Sequence, residues 1–323
     1  MAYISLTFMR YRSRTIAKAK YYLYLWKKCR AMAEALSTPH THQLQSSVID
    51  DAIRKYLLTE QFNAAVRAGA EIMKIYKQRD DYGVELKSDN SPITIADRAA
   101  HNSIKLSLGQ TRIPILSEEG REMLYEERQN WDLFWLVDPL DGTVEFIKGN
   151  NEFTVNIALM QNNICVSAVV YVPYYHKIYI AERDRGAWVM ENVAPDDAAN
   201  YNYETIHSAL EPLPLATASH TVYRVALSRS HQTPETHEHI EQLRTKHPDM
   251  EIVEQGSSYK FCLLAEGSVD YYVRTTTTSE WDTAAGELIL SESGGITLSY
   301  PDGAPLYYNK ESLDNPWFVA RRV

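Results

Sequence analysis

The sequence predicts a mixed fold, with an antiparallel sheet in its first half and an α/β layer in its second, on three observations. Phe153 to Met160, Ile164 to Val172, Lys177 to Ala181 and Gly186 to Met190 are short β-rich runs parted by turn residues, as successive antiparallel strands require. From Val222 onward, strand-like and helix-like runs alternate. Before both lies Leu133 to Val137, an apolar run suited to a buried strand, which ends in two aspartates three residues apart, Asp138 and Asp141.

With 323 residues, 45% of them hydrophobic and 11% aromatic, the chain can bury a sizeable core. No apolar run approaches the length of a membrane span. Cys29, Cys165 and Cys262 lie far apart and form no Cys-x-x-Cys, which points to reduced, buried thiols, a cytoplasmic setting and no zinc or disulfide framework. The net charge of −9 is uneven. Residues 1–36 hold eight Lys or Arg against one acid, Glu34, which leaves 25 basic and 41 acidic residues elsewhere. So acidic a body argues against nucleic acid as the main partner, yet leaves room for a local cationic pocket.

Residues 1–47 read as a basic helix, with Tyr21, Tyr22, Leu23, Leu25 and Trp26 among Lys and Arg, followed by a polar linker. Three readings fit: a peripheral anchor at the inner membrane surface, a targeting segment, or non-native sequence from an upstream start with Met32 as the alternative. The last is the expectation. The compact body is expected in two parts, 48–190 and 191–323, joined through an irregular stretch at 191–221. Ile53, Leu57, Phe62, Val66, Ile72 and Ile75 keep helical spacing. Lys87 to Ile93 is a loop, and Thr94-Ile-Ala-Asp97 opens a helix in which Asp97 equally fits a capping box. Ile113 to Leu116 is a strand that delivers Glu118 at its end. Pro139 should stop the next strand at Asp138, because it lacks an N–H for the ladder. Asp141-Gly142 then turns the chain, so that Asp138, Asp141, the Leu140 carbonyl and the Thr143 hydroxyl converge as an all-oxygen cluster of the kind that holds hard cations. In the second part, strands at Val222 to Ser228, Glu251 to Glu254 and Val269 to Arg274 alternate with helices at Glu235 to Arg244, Ser257 to Ala265 and from Asp282. Asp282 would also serve as a helix cap. Ser257-Ser258-x-Lys260 at a helix start offers N–H groups and a cation to an anion, or else a solvated helix face.

Taken in order, Asp97, Glu118, Asp138-Pro-Leu-Asp141-Gly-Thr143 and Trp281-Asp282-Thr-Ala-Ala-Gly286 resemble the signature of the inositol monophosphatase superfamily of Mg²⁺-dependent, lithium-sensitive phosphatases. Asp89 to Asp97, Leu116 to Glu119, Glu152 to Leu159, Ser228 to His231 and Gly256 to Gly267 are similar to the CysQ-type 3′(2′),5′-bisphosphate nucleotidases within it. The likeness runs from about residue 59 to the C-terminus. Val144 departs from that subgroup, which usually carries lysine there, and so does the threonine run Thr275 to Thr278.

The resemblance implies a layered αβαβα sandwich. It implies two Mg²⁺ ions, one held by Glu118, Asp138 and the Leu140 carbonyl and one by Asp138, Asp141 and Asp282, with a third, weaker ion near Asp97 and Glu118. Thr143, bonded to Asp97 or Glu118, would orient the attacking water, and Gly142 and Thr143 N–H groups would bind the phosphate. Ser257, Lys260, Arg274 and His231 would take a second phosphate, and Asp282 would also face the substrate. The implied reaction is hydrolysis of adenosine 3′,5′-bisphosphate to AMP in sulfur assimilation. The same chemistry on inositol monophosphate or a sugar bisphosphate is the alternative, and a noncatalytic sensor is the rival of another class.

Overall fold

The structure is a computed structural model, and it describes residues 50–323 apart from 79–81, 88, 90 and 217–220. The expectations for residues 1–47 lie outside the described residues. Contacts divide the chain at Tyr56, and Leu57–Val323 form one unit. No helix among the described residues is long and apolar enough to cross a membrane.

The described residues open with helix α1, Asp51–Gln78, then β1, Glu85–Leu86, and β2, Pro92–Ile93, which pair antiparallel across the expected loop. Helix α2, Ile95–Leu108, leads to β3, Ile115–Ser117, the short α3, Tyr125–Arg128, and β4, Leu133–Asp141. Next come α4, Thr143–Lys148, β5, Thr154–Gln161, β6, Ile164–Val172, β7, Lys177–Glu182, and β8, Gly186–Met190. The irregular stretch contains α5, Tyr203–Ser208, and β9, Glu211–Pro212. The remainder is β10, Arg224–Ser228, α6, Pro234–Arg244, β11, Glu251–Gln255, α7, Tyr259–Glu266, β12, Tyr271–Arg274, α8, Glu280–Glu292, β13, Gly295–Ser299, and β14, Phe318–Arg322.

Two large sheets result. The first runs β3-β4-β5-β6-β7-β8-β9, with β3 and β4 parallel and the other neighbours antiparallel. The second runs β11-β10-β12-β14-β13, parallel across β11, β10 and β12 and antiparallel at β14. Side chains on a strand alternate between faces, and the core shows it. Ala226 and Tyr272 face the main core with α7 and α8, whereas Val225, Leu227 and Tyr271 pack on Ile240 of α6. On the far face of the first sheet α1 docks through Gln61, whose amide donates to the Ile157 carbonyl at 2.7 Å. Gly69 lets the helix approach closely, because a Cβ there would lie 2.3 Å from the Tyr171 ring. The order is helices, sheet, helices, sheet, helix, the αβαβα sandwich expected.

One element corrects the reading above. β4 does not stop at Asp138 but continues to Asp141, with a register shift between Asp138, paired with Asn156, and Asp141, paired with Thr154. The bulge absorbs Pro139, whose missing N–H then costs no ladder bond, and it turns the aspartates toward one side of the sheet end. The strands β13 and β14, which complete the second sheet, carry no clear alternation in the sequence.

Candidate active site

The bulge at the end of β4 places Asp138 in the interior, 1% exposed, where its Oδ1 accepts the Leu140 N–H at 3.0 Å. Gly142 follows at φ +90°, a conformation that L side chains resist. A Cβ there would also sit 2.9 Å from the Glu152 carbonyl and 3.2 Å from Ser257 Cβ. Gly142→Ala is therefore expected to destabilise the protein by about 1 to 3 kcal/mol, read as a fall in melting temperature, and to lower turnover with it.

Three elements bring carboxylates to this turn. Glu118 leaves β3 with its N–H donating to the Val137 carbonyl at 3.1 Å. Asp282 sits in the first turn of α8, where one carboxylate oxygen accepts the Ser279 N–H at 2.8 Å and closes a capping box. Asp97 caps α2 in the same way, taking the Thr94 N–H at 2.8 Å and the Thr94 hydroxyl at 2.6 Å on Oδ2. Its other oxygen accepts the Thr143 hydroxyl at 3.0 Å, and the Leu140 carbonyl lies 3.2 Å from that hydroxyl. Capping and site membership are thus compatible, because each carboxylate has two oxygens.

Glu118, Asp138 and Asp282 each offer an oxygen within 4.8 Å of the other two. Asp141 stands beside them, tied to the Ser258 N–H at 2.5 Å and to Asn156 at 3.4 Å. Burial pushes Asp138 and Asp282 well above the usual carboxylate range, and repulsion from Asp141 and Glu118 adds to it. Burial also raises Glu118, against the pull of Lys87, and raises Asp97. The Lys87 ammonium lies 2.7 Å from Glu118 and 2.5 Å from Glu119.

Glu118, Asp138, Asp141 and Asp282 line a cleft of about 220 Å³, whose lining also includes Leu140, Gly142, Thr143, His231, Ser257, Lys260 and Arg274. Asp97 is not in the lining and reaches the cleft only through Thr143. Lys260 is 2% exposed, which excludes a solvated helix face. Its ammonium donates to the Gln255 and Ser257 carbonyls at 3.0 and 2.6 Å and lies 5.2 Å from the Tyr272 ring centroid. Burial, with Arg274 nearby, pulls it down to about 7. The same two causes, burial first, lower His231, whose N–H donates to the Ser228 hydroxyl at 3.2 Å. The Nε of Arg274 is buried with no hydrogen-bond partner. Helix α7 starts later than expected, at Tyr259, and the Ser258 N–H is already committed to Asp141.

The profile of the inositol monophosphatase family matches residues 54–316. The chain belongs to the inositol monophosphatase family. Curated relatives include the 3′(2′),5′-bisphosphate nucleotidase CysQ of Escherichia coli strain K12, 39% identical over 265 residues that cover 81% of this chain and 98% of the relative. The protein of that name from Buchnera aphidicola is 38% identical over 253 residues, 78% and 87% of the two chains. Among solved structures, CysQ from Bacteroides thetaiotaomicron superposes with a TM-score of 0.77 at 42% identity, covering 84% of this chain and 99% of that one. An inositol monophosphatase of Thermotoga maritima shares the fold, with a TM-score of 0.60 at 22% identity.

Sequence reasoning missed several polar residues of this inositol monophosphatase family site. Glu145 is buried in the cleft wall, and Lys87 reaches Glu118 from a loop with no periodicity to mark it. Glu152 accepts the Gly256 N–H at 2.8 Å and pairs with Arg229 at 2.7 Å, fixing the loop that carries Ser257. An acid so close to an apolar run, as in Glu152-Phe-Thr-Val, was the available signal.

Proposed function

We propose that the protein is a Mg²⁺-dependent 3′(2′),5′-bisphosphate nucleotidase that converts adenosine 3′,5′-bisphosphate to AMP and phosphate. One observation carries the reading: a single cleft is lined both by the carboxylate cluster Glu118, Asp138 and Asp282 and by the basic residues Lys260, Arg274 and His231. A monophosphate uses only the first group. A second phosphate calls on the second group, Arg274 above all, in the charge-assisted contact that guanidinium favours. The names of the relatives at 38% and 39% identity agree with it.

The donor set suits a hard cation, since it is all oxygen and its buried carboxylates hold above-normal pKa values that a divalent ion would relieve. Glu118, Asp138 and the Leu140 carbonyl would hold one Mg²⁺, and Asp138, Asp141 and Asp282 a second. The Glu118 side of the third position carries the Lys87 ammonium, so two ions are assigned. Bound there, Mg²⁺ supplies charge to the phosphate oxygens and acidity to a water. Thr143, its proton directed at Asp97 Oδ1, presents a lone pair to the attacking water, and Asp97, raised by burial, is the proton's destination. Water oxygen bonds to phosphorus as the bond to the ribose 3′-oxygen breaks, and solvent protonates the leaving oxygen. The Gly142 and Thr143 N–H groups are assigned to the transferred phosphate.

Rates on adenosine 3′,5′-bisphosphate, inositol 1-phosphate and a sugar bisphosphate, each with Mg²⁺, test the reading. The nucleotide is expected to lead in kcat/KM by about 100-fold, the worth of one or two charged hydrogen bonds. A preference for inositol 1-phosphate would overturn it.

A further inference from the structure

Asp282 depends on the first turn of α8, and that turn is held from outside by the segment that leads into β14. The Asn315 N–H donates to the Thr278 carbonyl at 2.7 Å. Its side-chain amide reaches the Ser279 carbonyl at 2.7 Å, the Thr283 hydroxyl at 3.0 Å and the Thr278 hydroxyl at 3.2 Å. Glu280, fully buried beside Asp282, donates its N–H to the Leu313 carbonyl at 2.9 Å. Its carboxylate takes the Asn309 and Lys310 N–H groups at 2.6 and 3.0 Å and the Lys310 ammonium at 2.6 Å. Asn309 is anchored in turn to the buried Arg128, 2.8 Å away.

These contacts exceed what a helix end needs. The capping box already satisfies the Ser279 N–H, and the Asn315 Oδ1 is left buried without a partner, which costs stability. What the arrangement achieves is geometric. Ser279 is gripped on its N–H by Asp282 and on its carbonyl by Asn315, while Thr283, one residue past Asp282, is gripped by the same amide. The carboxylate that stands within 4.8 Å of Glu118 and Asp138 is therefore bracketed on both sides.

We propose that the strap Asn309 to Asn315, acting through Asn315 and Glu280, is a positioning device that fixes Asp282 for metal binding. Asn315 touches neither metal nor substrate. It acts by denying the α8 start the freedom to rotate Asp282 away from Glu118 and Asp138, where the mutual repulsion of the carboxylates drives it. The inference rests on the metal site assigned above.

The test is Mn²⁺ binding to the full chain, followed by electron paramagnetic resonance and calorimetry without substrate, for wild type, Asn315→Ala and Lys310→Met. Asn315→Ala is expected to raise the Mn²⁺ dissociation constant by about 10-fold, or 1.4 kcal/mol. Lys310→Met, which takes the ammonium away from the buried Glu280 carboxylate, should raise it by about threefold and lower the melting temperature as well. In both variants the turnover number should recover at saturating metal and the substrate KM stay unchanged. Equal Mn²⁺ affinity in all three proteins, whatever their melting temperatures, would overturn the strap's role. Absence of Mn²⁺ binding by wild type would overturn the metal site instead.

Discussion

Asp282→Asn is expected to lower the turnover number by about 1,000-fold while the protein stays folded, the loss of roughly 4 kcal/mol of transition-state charge stabilisation. The asparagine keeps an oxygen for the Ser279 N–H, so the cap of α8 survives. What it loses is the charge held near Glu118 and Asp138. Stability should move the other way in metal-free protein. Burial raises Asp138 and Asp282 well above their usual 3.8, so the folded chain holds protons that the unfolded chain has released. Stability from these groups is full below the usual aspartate value and is lost as pH rises through the raised one. Metal-free wild type should melt at lower temperature as pH climbs above about 4, and Asp282→Asn should flatten that slope. Added Mg²⁺ should raise the wild-type melting temperature, more so at higher pH, and raise the variant's far less. Near-normal turnover by Asp282→Asn would remove the metal assignment, and identical melting slopes would remove the electrostatic account.

The sequence made this cluster legible because each acid sits next to a structural punctuation mark. Asp138 precedes a proline, Asp141 precedes a glycine, and Asp97 and Asp282 open helices behind Thr94 and Ser279. Strands β6 and β8 were readable to the residue, since turn dipeptides bound a β-rich run on both sides. The passage of β4 through Pro139 was not, because a proline's effect depends on whether the partner strand offers a bulge to receive it, and that is tertiary information. Lys260 was ambiguous for a similar reason. A lysine in the first turn of a helix normally faces water, and only the loop carbonyls of Gln255 and Ser257 turn its ammonium inward. Asn315 and Glu280 left no trace at all, as their effect lies in backbone groups some thirty residues apart in sequence.

That inward ammonium carries the second large expectation, since Lys260→Met keeps the aliphatic stem in its slot while removing the charge. On adenosine 3′,5′-bisphosphate, kcat/KM should fall by about 100-fold, almost wholly in KM, because the contact to a remote phosphate is the same in ground and transition states. On adenosine 3′-monophosphate, which lacks that group, the change should stay within about threefold, a loss too small for a charged hydrogen bond. Equal losses on both would mean that Lys260 serves only to brace the Ser257 loop. The pH dependence separates this residue from the acids. Burial brings Lys260 down to about 7 from the usual 10.5, so between those values the unfolded chain holds the extra proton and stability from this group rises with pH. Lys260→Met should therefore exceed wild type in stability most below about pH 7, with the gap closing at higher pH, the opposite slope to that of Asp282→Asn. In wild type the KM for the bisphosphate should climb as pH passes 7, since the neutral amine no longer attracts the anion, and the variant should lack that climb. The two variants thus separate the cleft's two electrostatic halves, one whose free energy demands a cation and one that demands an anion, and a bisphosphate with its metal ions meets both demands at once.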